Sequence, residues 1–233
     1  MTYLTILDEL VQRIEKGGFK PQEPLPSENM LSQKYQVTRH CIRKVYERLS
    51  EMGYIKTEQG KGRWLKIQKQ KIKTPARWGR SFQSEMEALS LPHETQNIDF
   101  EEVPGDSRLM AALGLSPRNR VYRITRLRLV DKEPVAAHIT YLTDRDFPLI
   151  AEEGPGIHSI TEYLESKNCA ATVTTLEMAT RLPTLKEQAL LKCPSLVPVM
   201  KMETFFIKKA DRTTIGYGEV VFRGDRFVQQ IQP

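Results

Sequence analysis

The sequence has no uninterrupted apolar run near the roughly 18–20 residues that a membrane span needs. Its opening segment, MTYLTILDELVQRIEK, carries acids where a signal peptide needs a basic stretch and then an apolar one. Both absences predict a soluble, cytoplasmic protein with no membrane partner. Only three cysteines occur, Cys41, Cys169 and Cys193, widely spaced and outside any CxxC pattern. A disulfide framework and a zinc site are therefore not expected, and a reducing compartment is. No Ser-His-Asp spacing, paired acids or glycine-rich nucleotide loop makes a catalytic set. The expectation is no enzyme, no metal and no cofactor. Glycine and proline are modest at 13 and 14 residues of 233, and a 39% hydrophobic content suits one or two folded domains rather than a disordered chain.

What is present is an uneven charge. The net charge is +6, but residues 1–74 hold 15 Lys and Arg against 8 Asp and Glu, while the remainder holds 20 against 21. All the excess positive charge sits in the first third, which points to two domains, the first suited to a polyanion. A solubilising basic face would give the same count, so the local pattern has to decide.

In TYLTILDELVQRIEKGGF, apolar residues at Leu4, Leu7, Leu10, Val11 and Ile14 make a helical stripe that ends at Gly17-Gly18. Pro26-Ser27-Glu28 opens a short second helix, with Ser27 as N-cap, Glu28 on the favourable side of the dipole, and Met30 and Leu31 turned inward. Thr38 caps a third helix whose inner stripe is Ile42, Val45, Leu49 and Met52. Two helices joined this closely form a helix-turn-helix, whose second helix lies in the major groove. Arg39, His40 and Arg43 fall on the outward face of its first turns. Arginine binds guanine O6 and N7 bidentately, so Arg39 and Arg43 are the expected base readers, while Thr38, Lys44 and Arg48 suit phosphates. A solvated helix face is the competing reading. Against it stands YIKTEQGKGRWLKI, two β-type runs around a Gly60-Lys61-Gly62 tip that can approach a minor groove closely. Together the segments predict a winged helix-turn-helix.

The order LPSE, VTRHCIRKVYERL, GYIKTEQGKGRWL resembles the DNA-binding domain of GntR-type bacterial transcription regulators over about residues 2–67. The resemblance implies DNA contacts from Asn29, where arginine is common in the family, from Arg39 and Arg43, and from Gly60 with Lys61. His40-Cys41-Ile42-Arg43 departs from the family's usual x-T-V-R, and Cys41 reads as a small, partly buried helix residue.

The basic, proline-interrupted stretch 69–79 reads as a linker between a first domain at 1–68 and a second at 80–233. In the second, RVYRITRLRLV and VAAHITYL make a hairpin, and KMETFFIKKADRTTIGYGEVVF repeats the plan about 80 residues later, each after a short helix-like stretch. An internal duplication follows, forming one mainly antiparallel sheet with helices against it, an α+β fold. Aligning Val121 with Val199 sets Arg126 opposite Thr204 and Arg128 opposite Phe206, so the strand itself does not require the arginines. Positions 126 and 128 share a face, and paired guanidiniums suit carboxylate or phosphate; surface salt bridges are the alternative. Ser81 as a helix N-cap, Ser159 and Thr161 in the capped turn SITE, and His138 on the neighbouring strand could complete an anion site; the competing readings are that Ser159 serves the capping box and that a lone strand histidine is simply packed or solvated.

RLRLVDKEPVAAHITYL, HSITEYL and VVFRGDRFVQQ resemble the UTRA effector domain of the HutC subfamily, which has a chorismate-lyase-like fold, over about residues 80–231. The resemblance implies a small anionic effector, such as a phosphorylated sugar, held by Arg126, Arg128, Ser159 and His138, with Arg223 a further candidate. The combined expectation is a homodimeric repressor that binds a pseudo-palindromic double-stranded DNA operator under effector control. A chorismate-lyase-like enzyme and a nonspecific architectural DNA-binding protein are the alternatives.

Overall fold

A computed structural model describes residues 2–66, 71–75, 81–105, 107–116 and 118–230. It divides the chain into two compact units: Met1–Gln70 with Leu182–Gln188 and Cys193–Val197, and Lys71–Arg181 with Ala189–Lys192 and Pro198–Pro233.

In the first unit, α1 (Tyr3–Glu15), α2 (Glu28–Tyr35) and α3 (Arg39–Glu51) precede a hairpin of β1 (Ile55–Glu58) and β2 (Gly62–Leu65). Each helix starts on a side-chain cap: the hydroxyls of Thr2, Ser27 and Thr38 accept the N–H groups of Thr5, Met30 and Cys41. Gln36 takes the left-handed conformation at φ 53° and turns the chain from α2 toward α3. Ile6, Leu10, Leu31, Tyr35, Ile42, Val45, Tyr46, Leu49, Ile55 and Leu65 form the core, with Cys41 packed at its edge. The inward stripes differ from expectation at three places. Leu4 and Met30 are exposed, and Met52 caps α3 instead of extending its stripe. The reason is geometric: α2 has little more than two turns, its Leu31 and Tyr35 one turn apart fill the inner line, and the adjacent Met30 points away.

The second unit is built on a six-stranded sheet of β4 (His93–Val103), β5 (Val121–Val130), β6 (Glu133–Thr143), β7 (Ala171–Arg181), β8 (Val199–Lys208) and β9 (Thr214–Arg223). Their order is β4-β5-β6-β9-β8-β7, and every neighbouring pair is antiparallel. The duplication is visible in the backbone. β4, α5 (Ser107–Leu113) and β5 return as β7, α8 (Leu185–Leu191) and β8, each 78 positions later. The register shift at Asn97 recurs at Thr175, and the one at Arg128 recurs at Phe206. Asp131 and Lys132 both take positive φ in the two-residue turn between β5 and β6, the primed geometry that matches strand twist.

Residues 72–75, expected inside the linker, form β3 (Ile72–Pro75), which pairs in parallel with β10 (Phe227–Gln230). Alternation is too short to read there, and the pairing joins segments far apart in sequence. Residues 69–70 and 76–79 of the expected linker lie outside the described residues. α4 (Phe82–Ala88), α7 (Ile160–Ser166) and this β3–β10 pair flank one sheet face. There two apolar groups form, one around Tyr122, Ile124, Ile160 and Leu164, the other around Ile72, Phe82, Met86, Met202, Phe222 and Phe227.

Candidate nucleic-acid interface and ligand cavity

On the first unit, the arginines of α3 are organised by one carboxylate. Glu28, at the start of α2, accepts from Arg63 Nη2 on β2 at 2.8 Å and from Arg43 Nη2 at 3.5 Å, with Arg39 Nη2 at 4.0 Å. Burial opposes its ionisation, but the hydrogen bonds from Arg63 and Arg43 hold its carboxyl below the ordinary value. Arg63 in turn lies over the Tyr46 ring, 4.6 Å from its centroid. Burial pushes the Tyr46 phenol up to about 12, and it donates to the Pro26 carbonyl. Despite these ties, the side chains of Arg39 and Arg43 remain 61% and 53% exposed. The like charges of α3 are thus partly neutralised before any polyanion arrives. In the sequence Glu28 is marked only by its place at the helix dipole, because its pairing with Arg63 spans two elements and has no signature in local spacing.

Asn29, His40 and Lys44 are exposed, and the Thr38 hydroxyl is engaged as the α3 cap. Arg48 is instead occupied by Glu51 at 3.0 Å and the Tyr3 hydroxyl at 3.3 Å. At the hairpin tip, Gly60 and Gly62 have φ of 75° and 102° on either side of the exposed Lys61. An added Cβ at either glycine would meet nothing within 4 Å, so backbone conformation alone favours glycine there.

On the second unit, strand alternation places Arg126 and Arg128 on the sheet face covered by α4 and α7. Arg126 lies opposite His138 across β5 and β6, Thr140 lies opposite Gly218, and Gly218 opposite Thr204. A Cβ on Gly218 would stand 2.7 Å from the Thr204 hydroxyl, so glycine keeps the floor open. These residues, with Thr74, Ser81, Phe82, Glu85, Ser159, Thr161 and others, enclose a cavity of about 170 Å³. A neighbouring cavity of about 270 Å³ shares Ser81, Phe82, Arg128 and Ser159 and adds Thr95 and His158.

Arg126 and Arg128 are only 2% and 5% exposed. Arg126 donates to the Thr140 hydroxyl at 2.6 Å and the His158 carbonyl at 3.5 Å. Arg128 donates to the Thr95 hydroxyl and to the same carbonyl at 3.0 Å, and stacks over the Phe82 ring. Among the described residues no carboxylate forms an ion pair with either, and both Nε atoms are buried without a partner. Burial, with Arg128 adding repulsion, pushes the Arg126 guanidinium well below its ordinary range; burial lowers Arg128 to about 10 although Glu162 opposes the shift. His138 lines the cavity, and its Nε2 is sealed and has no partner among the described residues. Burial, reinforced by Arg128 and Arg126, pushes its imidazole well below the usual value, so it is neutral at pH 7.

Ser81, His138, Ser159 and Thr161 all line the cavity alongside the arginines. Ser81 and Ser159 also accept N–H groups as caps of α4 and α7. Arg223 does not line it. Its guanidinium grips Asp225 at 2.7 Å and donates to the carbonyls of Pro134 and Leu191, which makes it a strand-end tie. Thr95, Thr140 and Glu85 carry no mark in the sequence, since polar strand residues and a helix acid look like solvent-facing ones, and Thr204 stands out there only as the counterpart of Arg126 in the repeat.

This arrangement, a helix-turn-helix with wing in one unit and a sheet-bound cavity in another, defines a two-domain DNA-binding regulator. Residues 2–64 match the model for bacterial regulatory proteins of the gntR family, and residues 88–228 match the UTRA domain. The chain belongs to the GntR family of transcriptional regulators, in the UTRA-containing group that includes the HutC subfamily. It is 24% identical over 229 residues to the transcriptional repressor NagR of Bacillus subtilis, covering 97% of this chain and 91% of that one. With the regulator TreR of the same organism it shares 28% over 165 residues, 71% of this chain and 68% of the relative. The crystal structure of PhnF from Mycobacterium smegmatis has the same fold, at TM-score 0.64 and 21% identity over 97% of this chain and 98% of PhnF.

Proposed function

We propose that the chain is a cytoplasmic repressor that binds a pseudo-palindromic operator as a homodimer and lets go when a small anionic metabolite fills the sheet-bound cavity. The observation that carries the ligand half is the pair Arg126 and Arg128, buried and lacking any carboxylate partner among the described residues. Buried cations without counterions are costly, and an oxyanion that accepts from both removes that cost. Ser81, Ser159, Thr161 and neutral His138 then contact the anion or its neighbouring polar groups.

On DNA, Arg39, His40 and Arg43 face base edges. Asn29, Thr38 and Lys44 contact phosphates, and Lys61 between Gly60 and Gly62 enters the adjacent minor groove. The Thr38 hydroxyl can donate to a phosphate while its lone pair accepts from α3. Two such helices, one per protomer, match half-sites one turn of DNA apart. Effector acts only if it binds more tightly to a dimer geometry that no longer fits both half-sites. The test is thermal unfolding of wild type and Arg126→Ala against phosphorylated sugars, phosphonates, carboxylates and uncharged sugars. A ligand at 100 times its Kd stabilises by about 2.7 kcal/mol. A shift confined to one anionic class and lost in the variant supports the reading; a shift that persists in Arg126→Ala overturns the arginine site.

A further inference from the structure

The cavity lining holds two further unpartnered polar groups besides the arginine pair and His138. Among the described residues, Glu85 Oε1 on α4 is sealed from solvent with no hydrogen-bond partner, and so is the Thr74 hydroxyl on β3. Both residues line the cavity. Thr74 is two positions from Ile72 and shares its strand face, and Ile72 packs in one apolar group with Phe82 and Met86 of α4. The hydroxyl and the carboxylate-bearing helix therefore border the same part of the wall. Among the described residues, no ion pair joins Glu85 to Arg126 or Arg128. The other acid at the cavity, Glu219, is already held by Lys201 at 2.9 Å.

The unsatisfied groups are thus dipolar, two guanidiniums on β5 and one carboxylate on α4. A carboxylate is an acceptor only, so a purely anionic ligand would leave Glu85 Oε1 without a donor and would add repulsion. A hydroxyl supplies a donor but leaves the charge; an ammonium supplies both a donor and the opposite charge. We propose that the effector is a zwitterion, its phosphate or carboxylate on Arg126 and Arg128 and a primary ammonium on Glu85, with the Thr74 hydroxyl accepting a second ammonium proton. This rests on the arginine pair being the anion site, as argued above.

The test is a matched set of linear alkyl phosphates of two to five carbons whose far end is methyl, hydroxyl or ammonium, titrated calorimetrically into the full chain. The amino member of the fitting length should bind at least about tenfold tighter than its methyl counterpart, with the hydroxyl between them. Glu85→Gln should collapse that preference, chiefly by binding the methyl member tighter than wild type does once the repulsion is gone and the amino member weaker, and Thr74→Val should reduce the preference by a smaller factor. An amino member no tighter than the methyl one at every length overturns the proposal, and this arm needs no variant to fold. A preference that survives Glu85→Gln in a protein with native circular dichroism overturns the role of Glu85. If Arg126→Ala binds the methyl phosphates as wild type does, the anion site itself is misassigned, and the zwitterion proposal falls with it.

Discussion

The molecule carries two arginine clusters whose environments are opposite. On α3 and β2, Arg39, Arg43 and Arg63 share the Glu28 carboxylate, and the first two stay largely in water. On β5, Arg126 and Arg128 are buried and share a carbonyl, His158 O, and among the described residues no acid forms an ion pair with either. The exposed cluster costs little to keep and can exchange its partner for phosphate or guanine. The buried cluster is unfavourable until an anion arrives, so its stability and its ligand affinity are coupled. The second half of the duplicated sheet makes the point from within: at the equivalent positions Thr204 and Phe206 support the same strand without charge.

That contrast can be broken most forcefully by writing the second half into the first. Arg126→Thr with Arg128→Phe is expected to raise ligand-free stability by about 1–4 kcal/mol while abolishing every anion-dependent shift. Denaturant unfolding with and without anion reads both, and a less stable ligand-free variant would mean the arginines are already compensated. On the exposed cluster, Arg39→Ala should leave stability near wild type and weaken the operator by about 1–3 kcal/mol, read by fluorescence anisotropy at fixed salt. Operator binding at wild-type strength would remove Arg39 from the reading face.

Next in size is a pH effect confined to the cavity. His138 has a depressed folded-state pKa, so the unfolded chain binds its proton more readily. Stability should therefore be fully present above the unfolded value of about 6.5 and fall below it, by at most about 1.4 kcal/mol per pH unit from this group. Parallel unfolding of wild type and His138→Leu between pH 7 and 5 measures it; identical slopes would show that the ring is free to charge. The smallest effect is Lys61→Ala, expected to lower the slope of log affinity against log salt by about 1 without changing which sequence is preferred.

Much of this was legible because it is local. Ser27, Thr38, Ser81 and Ser159 cap helices through hydrogen bonds three residues long, and such spacing can be read in one dimension. The placement of Arg126 and Arg128 on one face followed from the two-residue period of a strand, and their dispensability for the fold from the repeat. β4 and β7 were not foreseen. They are the sheet's outer strands, and β4 alternates half-buried with exposed positions and holds no fully buried residue, so its hydrophobic signal is weak. Arg223 misled for the complementary reason: an arginine on a closing strand looks the same whether it meets a ligand or, as here, Asp225 and two carbonyls.

The sequence by itself determined the helix starts, the wing with its two positive-φ glycines, the duplicated strands and the faces their side chains take, since these depend on neighbours a few residues away. Only the tertiary structure decided which charges are answered. Glu28 meets Arg63, β3 meets β10, and Glu85 and Thr74 come to line one cavity without a hydrogen-bond partner for Glu85 Oε1 or the Thr74 hydroxyl among the described residues, because those relations join segments far apart in the chain. Burial, which makes an unpaired charge costly and a ligand necessary, exists only after those segments have packed.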